Sequence, residues 1–215
     1  MIPSLHLITD DEILARDDFP GQARRMLEEG GQDVALHLRG PGTCGRVLFD
    51  LAVALLDQSA RSGSLLLIND RIDIALALGL PGVHLGQRSL PPRVARTLLG
   101  PQSLLGLSVH GAEEARTGAA ASPGHADPGL DFLVVGSIFP TSSHPGRNPG
   151  GLAVLREVRA VSALPLLAIG GLTPERVEEV MAVGAHGVAV RGGAWDGEDP
   201  KAAIRVYLEE VRNRR

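Results

Sequence analysis

The feature that most constrains this chain is alternation. Short apolar runs lie near residues 5–8, 34–39, 64–68, 82–86, 103–109, 131–136, 165–169 and 186–190. Between them, helical patterns fill 20–30, 44–62, 70–78, 91–98, 111–121, 149–161, 173–183 and 199–213. Near-continuous apolar runs of this length suit strands buried on both faces, as in a parallel sheet. Parallel neighbours need a crossover, and a helix commonly supplies it. Such a series over 215 residues predicts an α/β fold: a compact, single (β/α)8 TIM barrel as one domain spanning 1–215. A doubly wound open sheet is the rival. It would carry a glycine-rich fingerprint after an early strand, where this chain reads Ile8-Thr9-Asp10-Asp11-Glu12.

The seventh helical stretch has the clearest local signals. Thr173 is placed to cap it, Pro174 suits its first turn, and Glu175 suits the positive end of the helix dipole. Val177, Val180 and Met181 share one apolar face, and Gly184 suits a left-handed stop.

Composition narrows the function classes. The chain is 44% apolar but only 3% aromatic, so its core must rest on aliphatic side chains, and base-stacking platforms are disfavoured. With a net charge of −4 and no basic block, neither nucleic acid nor a membrane surface is an expected partner. Among 21 basic residues Lys201 is the only lysine, and it lies in a polar stretch, which argues against Schiff-base chemistry. Cys44 is the only cysteine and reads as structural, leaving no intramolecular disulfide and no thiolate cluster. No signal peptide or membrane-length apolar run is evident, so a cytoplasmic protein is expected, with a homo-oligomer left open.

Two glycine pairs follow the last two strand candidates: Gly170-Gly171 and Gly192-Gly193. Loops after strands 7 and 8 of a TIM barrel frequently hold phosphate on backbone N–H groups. Glycine allows positive φ and close ligand approach. These four are the candidate phosphate-binding residues, with tight turns as the simpler reading.

Alternation along strands sorts the polar residues. If Leu105, Leu107 and Val109 face helices, then Gly106, Ser108 and His110 face the barrel axis. Ser108 and His110 would then lie at the catalytic mouth, with His110 as a candidate general acid–base. If Val34, Leu36 and Leu38 face helices, Ala35, His37 and Arg39 face inward. Arg39 reads as an anion ligand or an ion-pair partner, and His37 as a support for the site. Asp70 would bind Mg²⁺ or cap the next helix. His84 and Gln87 would orient a ligand or plug the barrel. Thr141, Ser142, Ser143 and His144 supply polar groups after the sixth strand.

Several stretches together resemble the thiamine-phosphate synthase and TenI superfamily over nearly the whole chain. They are Leu5-His6-Leu7-Ile8-Thr9-Asp10, Leu36-His37-Leu38-Arg39, Ile68-Asn69-Asp70-Arg71-Ile72-Asp73-Ile74-Ala75, Gly82-Val83-His84-Leu85-Gly86-Gln87, Gly106-Leu107-Ser108-Val109-His110, Gly136-Ser137-Ile138-Phe139-Pro140-Thr141 and Ala168-Ile169-Gly170-Gly171. The synthase joins a pyrimidine diphosphate to a thiazole phosphate and releases pyrophosphate. Its pattern has a Gln-Leu-Arg-Glu-Lys run where this chain reads His37-Leu38-Arg39-Gly40-Pro41. Ser89 stands where that pattern has a magnesium aspartate, and His144 where it has a further lysine. TenI-like members isomerise a thiazole carboxylate phosphate with the histidine that matches His110.

The missing charges therefore imply a thiazole tautomerase, an isomerase without a cofactor, acting on a small phosphorylated thiazole. His110 would be catalytic, with Arg39, Asn69, Ser108, Thr141 and Ser143 binding substrate. The alternative is thiamine-phosphate synthase, with Mg²⁺ on Asp70. A second alternative is a non-catalytic phosphate-ligand sensor.

Overall fold

Eight parallel strands close on themselves in sequence order, each paired with the next and the last with the first. They are β1 (Leu5–Ile8), β2 (Val34–Leu38), β3 (Leu65–Asn69), β4 (Gly82–Leu85), β5 (Leu104–Val109), β6 (Phe132–Val135), β7 (Leu166–Ile169) and β8 (Gly187–Val190). The computed structural model describes residues 1–119, 129–141, 148–197 and 199–214. The predicted (β/α)8 barrel is what forms. The open-sheet rival would leave two edges, whereas here β1 pairs with β8 through Leu5 opposite Val188 and Leu7 opposite Val190.

Eight helices of the described residues cover the outside. They are α1 (Phe19–Gly30), α2 (Gly45–Ser62), α3 (Ile72–Leu78), α4 (Pro92–Leu99), α5 (Ala112–Ala119), α6 (Gly151–Val161), α7 (Val177–Ala182) and α8 (Pro200–Arg212). Short helical turns at Asp11–Leu14 and Gly192–Trp195 sit over the mouth ends of β1 and β8. None of the described helices is long and apolar enough to cross a membrane.

Strand alternation divides the core as expected. Leu36, Leu38, Leu105, Leu107 and Val109 join the helix-facing cluster, while Ala35, Leu67, Phe132, Val134, Leu167 and Ala189 fill the barrel interior. The interior also holds three buried histidines, His6, His37 and His84. Each packs against the Phe132 ring, His84 nearly parallel to it at a centroid separation of 5.7 Å. Gly106 makes room for them. A Cβ there would collide with the Phe132 ring and come within 2.7 Å of His84 Nδ1.

The local signals at residues 173–184 held in part. Thr173 is extended, but its side chain makes no cap bond to the backbone, and a 3₁₀ turn at Pro174–Arg176 precedes α7. Its hydroxyl instead bonds the Glu175 carboxylate and holds that acid below its usual range. Val177 and Val180 are buried, and Gly184 takes φ 98°, the left-handed stop. Cys44, read as structural, is exposed just before α2.

Candidate active site

The C-terminal ends of the strands surround one cavity of about 890 Å³. The chain therefore opens at the end where TIM barrels carry chemistry. Arg39, Asn69, Asp70, Ser108, His110, Thr141, Gly170, Gly171, Gly192 and Gly193 all line it. Residues that lie from 39 to 193 along the chain thus converge on one mouth. Ser143, with Ser142 and His144, lies outside the described residues.

On the β7–β8 side the glycines are demanded by backbone geometry. Gly170 has φ 101° and Gly171 φ 62°, a region costly for residues with a Cβ. A Cβ on Gly193 would collide with Tyr207 Oη, which donates to Leu172 O at 2.9 Å. Burial pushes the Tyr207 phenol up to about 12, so it remains a donor. Gly192 and Gly193 begin a helical turn, where backbone N–H groups lack intrahelical acceptors. Both the tight-turn and the phosphate readings are compatible with this geometry.

Opposite, β2 and β3 deliver Arg39, Asn69 and Asp70. The buried Thr9 hydroxyl accepts the Arg39 N–H at 2.8 Å and lies 2.9 Å from its carbonyl, so the backbone beneath the guanidinium is pinned. Arg39 makes no ion pair among the described residues, which favours the anion-ligand reading. Asp70 has φ 64° and does not cap α3, whose N-cap is Arg71. Its Oδ1 instead accepts the Gly86 N–H at 2.9 Å and the Ser89 hydroxyl. Among the described residues no three of His, Cys, Asp or Glu cluster as metal ligands.

On β4 and β5, His84 Nε2 lies 2.8 Å from Ser108 Oγ, while its buried Nδ1 has no hydrogen-bond partner. A buried bare acceptor is tolerated better than a buried orphan N–H. The proton therefore belongs on Nε2, which donates to Ser108 Oγ. The serine is left to donate its own hydrogen elsewhere. Burial, reinforced by nearby His37 and Arg39, keeps His84 well below the usual histidine range.

His110 is oriented by a residue that the sequence reading did not single out. Glu114 Oε2 accepts the His110 backbone N–H at 2.7 Å and lies 3.0 Å from Nδ1. The same oxygen accepts Gln87 Nε2 at 2.9 Å, and Gln87 also donates to Ser108 O at 2.7 Å. Gln87 thus braces the site. The sequence signal was available: Glu114 lies four residues beyond His110, at the start of α5.

Other mouth residues missed from sequence are arginines. Arg88, Arg176 and Arg191 join Arg39 in the lining. Arg176 donates to Gly171 O at 2.8 Å and stacks over Phe139 at 4.5 Å. Arg191 forms ion pairs with Asp10 and Glu12. Arg88 is exposed and, among the described residues, makes no ion pair.

The chain resembles known proteins along almost its whole length. A thiamine-phosphate synthase of Desulfitobacterium hafniense strain Y51 is 37% identical over 211 residues, covering 98% of each chain. One from Methanoculleus marisnigri is 40% identical over 208 residues, covering 96% of this chain and 94% of the relative. The solved thiamine phosphate pyrophosphorylase of Pyrococcus furiosus superposes with a TM-score of 0.82 at 27% identity, covering 98% of this chain and 96% of that one.

These likenesses overturn the tautomerase expectation, and with it the isomerase class. That expectation counted charges position by position at Pro41, Ser89 and His144. Cationic charge belongs to the whole cavity, and Arg88 and Arg176 reach the same mouth from positions that the motif does not cover. With the thiamine monophosphate synthase family profile matching residues 5–194, on a closed barrel whose strand ends gather those motifs, the chain belongs to that family.

Proposed function

We propose that this protein is a transferase of the thiamine-phosphate synthase type. It would join hydroxymethylpyrimidine diphosphate to thiazole phosphate. The bond between the pyrimidine's methylene carbon and the diphosphate oxygen breaks, and its electron pair leaves with pyrophosphate. The thiazole supplies the electron pair for the new bond to that carbon.

The observation that carries this reading is the pairing of a glycine-turn wall with an arginine-bearing wall across one cavity. Glycine turns line the β7–β8 side, and Arg39, Asn69 and Asp70 line the β2–β3 side. A volume of about 890 Å³ is near the top of the range for small-molecule sites, which suits two substrates held together. The named relatives add support.

In this reading the glycine turns hold the thiazole phosphate, Arg39 forks onto the diphosphate, and Ser108 donates a hydrogen bond to a substrate. Thr141 lines the same cavity and is assigned to substrate contact. His110 serves as an oriented hydrogen-bond partner, its Nδ1 tied to Glu114.

Mg²⁺ fits this site in a limited way. It commonly binds through one or two carboxylates plus substrate phosphates. Asp70 supplies one carboxylate, and only its Oδ1 is engaged by the described residues. Asp70 would hold the ion, which when bound neutralises charge on the departing diphosphate.

The test supplies both substrates with Mg²⁺ and follows thiamine phosphate and pyrophosphate together. Equimolar products at an enzymatic rate are expected. No coupled product from folded protein would overturn the reading.

A further inference from the structure

A chain of buried hydrogen bonds runs from the floor of the barrel to its mouth. His6 Nε2 lies 3.2 Å from Pro3 O, His6 Nδ1 lies 2.8 Å from His37 Nε2, and His37 Nδ1 lies 3.1 Å from Asn69 Oδ1. His6 and His37 are fully buried, and Asn69 lines the mouth. The far end of the chain therefore touches the candidate active site.

Only one end of this chain has fixed polarity. Pro3 O is a carbonyl and must accept, so His6 Nε2 must carry a proton. A neutral His6 then has a bare Nδ1, which must accept from a protonated His37 Nε2. A neutral His37 in turn has a bare Nδ1, and its partner on Asn69 must be a donor. The opposite assignment sets the His6 Nε2 lone pair against the Pro3 carbonyl oxygen. Carbonyl polarity cannot change, whereas an amide reverses by turning 180° about its terminal bond, with its heavy-atom outline nearly unchanged. The conflict is therefore resolved at Asn69. Both rings are neutral near pH 7, because burial holds His37 at about 4 and, aided by the neighbouring histidines, His6 well below its usual range.

We infer that the His6–His37 relay, anchored on the Pro3 carbonyl, holds the Asn69 amide with its NH₂ group inward and its carbonyl oxygen toward the cavity. His37 is thereby a positioning residue. It touches no substrate, yet it makes this part of the mouth an acceptor that selects a ligand bearing an N–H or O–H donor. Identifying that ligand with the pyrimidine diphosphate rests on the proposed function. The proton arrangement itself does not.

The first test is long-range ¹H–¹⁵N NMR of the histidine rings in the full-length protein at pH 7.5, without substrate. Both His6 and His37 are expected to show a protonated Nε2 and a bare Nδ1. A protonated Nδ1 on either ring overturns the inference. This result is independent of any catalytic activity.

The second test compares His37→Gln with His37→Leu. Glutamine can donate to His6 with its NH₂ and accept from Asn69 with its oxygen, whereas leucine can do neither. His37→Leu should raise KM for the pyrimidine diphosphate about tenfold while changing kcat less, the scale of a misdirected hydrogen bond. His37→Gln should recover most of that loss. A folded His37→Leu variant with unchanged KM overturns the positioning role. Should that variant not fold, the ring spectra of the native protein still decide the relay. Failure of the native protein to make thiamine phosphate would count against the proposed function and leave those spectra intact.

Discussion

Glu114 holds His110 at two points, through the histidine's backbone N–H at 2.7 Å and its ring Nδ1 at 3.0 Å. One carboxylate oxygen therefore both ties the segment before α5 to the helix and sets the ring. Glu114→Ala should cost about 1 kcal/mol, the usual net scale of a lost hydrogen bond, and lower Tm by a few degrees. It should also reduce kcat/KM by freeing the ring. Glu114→Gln retains an acceptor and should lose less of both. Thermal melts beside steady-state kinetics of coupled product formation check the pair.

Arg39 and Arg88 are expected to differ. Arg39 is half-buried above a pinned backbone, whereas Arg88 is exposed. Arg39→Ala should lower kcat/KM about 100-fold, the scale for removing a donor that stabilises developing charge. Arg39→Lys should recover only part of it, since a lysine cannot fork onto two oxygens. Arg88→Ala should cost less than about tenfold and should become harder to detect as salt is raised. Kinetics at two ionic strengths test the contrast.

The buried histidines predict acid sensitivity. Burial lowers His37 from 6.5 to about 4, so the folded state refuses a proton that the unfolded chain accepts. His6 and His84 are shifted the same way. A depressed histidine contributes its full stability above pH 6.5 and loses it as pH falls toward the folded-state value. His37 alone should remove about 3 kcal/mol across that window. Urea midpoints measured from pH 7.5 down to pH 4.5 should fall steadily, and His37→Gln should flatten the slope. A slope unchanged by that substitution would contradict the assignment.

Gly106 should tolerate no larger side chain. Its missing Cβ is the space that the Phe132 ring and His84 occupy. Gly106→Ala should destabilise the barrel by about 1–3 kcal/mol, as overpacked cores do. It should also disturb the hydrogen bond from His84 to Ser108. Denaturant unfolding measures the first effect, and the His84 ring ¹⁵N shifts measure the second.

Much of the architecture was legible in the residues themselves. The alternation of apolar runs and helical patterns determined the strand order, because parallel strands buried on both faces leave a clear period in the chain. Alternation within β2 and β5 also placed His37, Arg39 and Ser108 on the inner face. Gly170 and Gly171 announced their turn, since positive φ restricts the choice of residue. These properties are local, and local properties are written in order along the chain.

What the tertiary structure decided was partnership. Asp70 bonds Gly86 and Ser89 instead of capping α3, Gln87 reaches Glu114, and Arg88 and Arg176 enter the mouth. His6 meets His37, and His37 meets Asn69, across neighbouring strands that only sheet pairing brings together. Motif positions read one at a time suggested lost charge and therefore an isomerase. A closed barrel pools side chains from every strand end, so the charge and polarity of its cavity are properties of the assembled mouth.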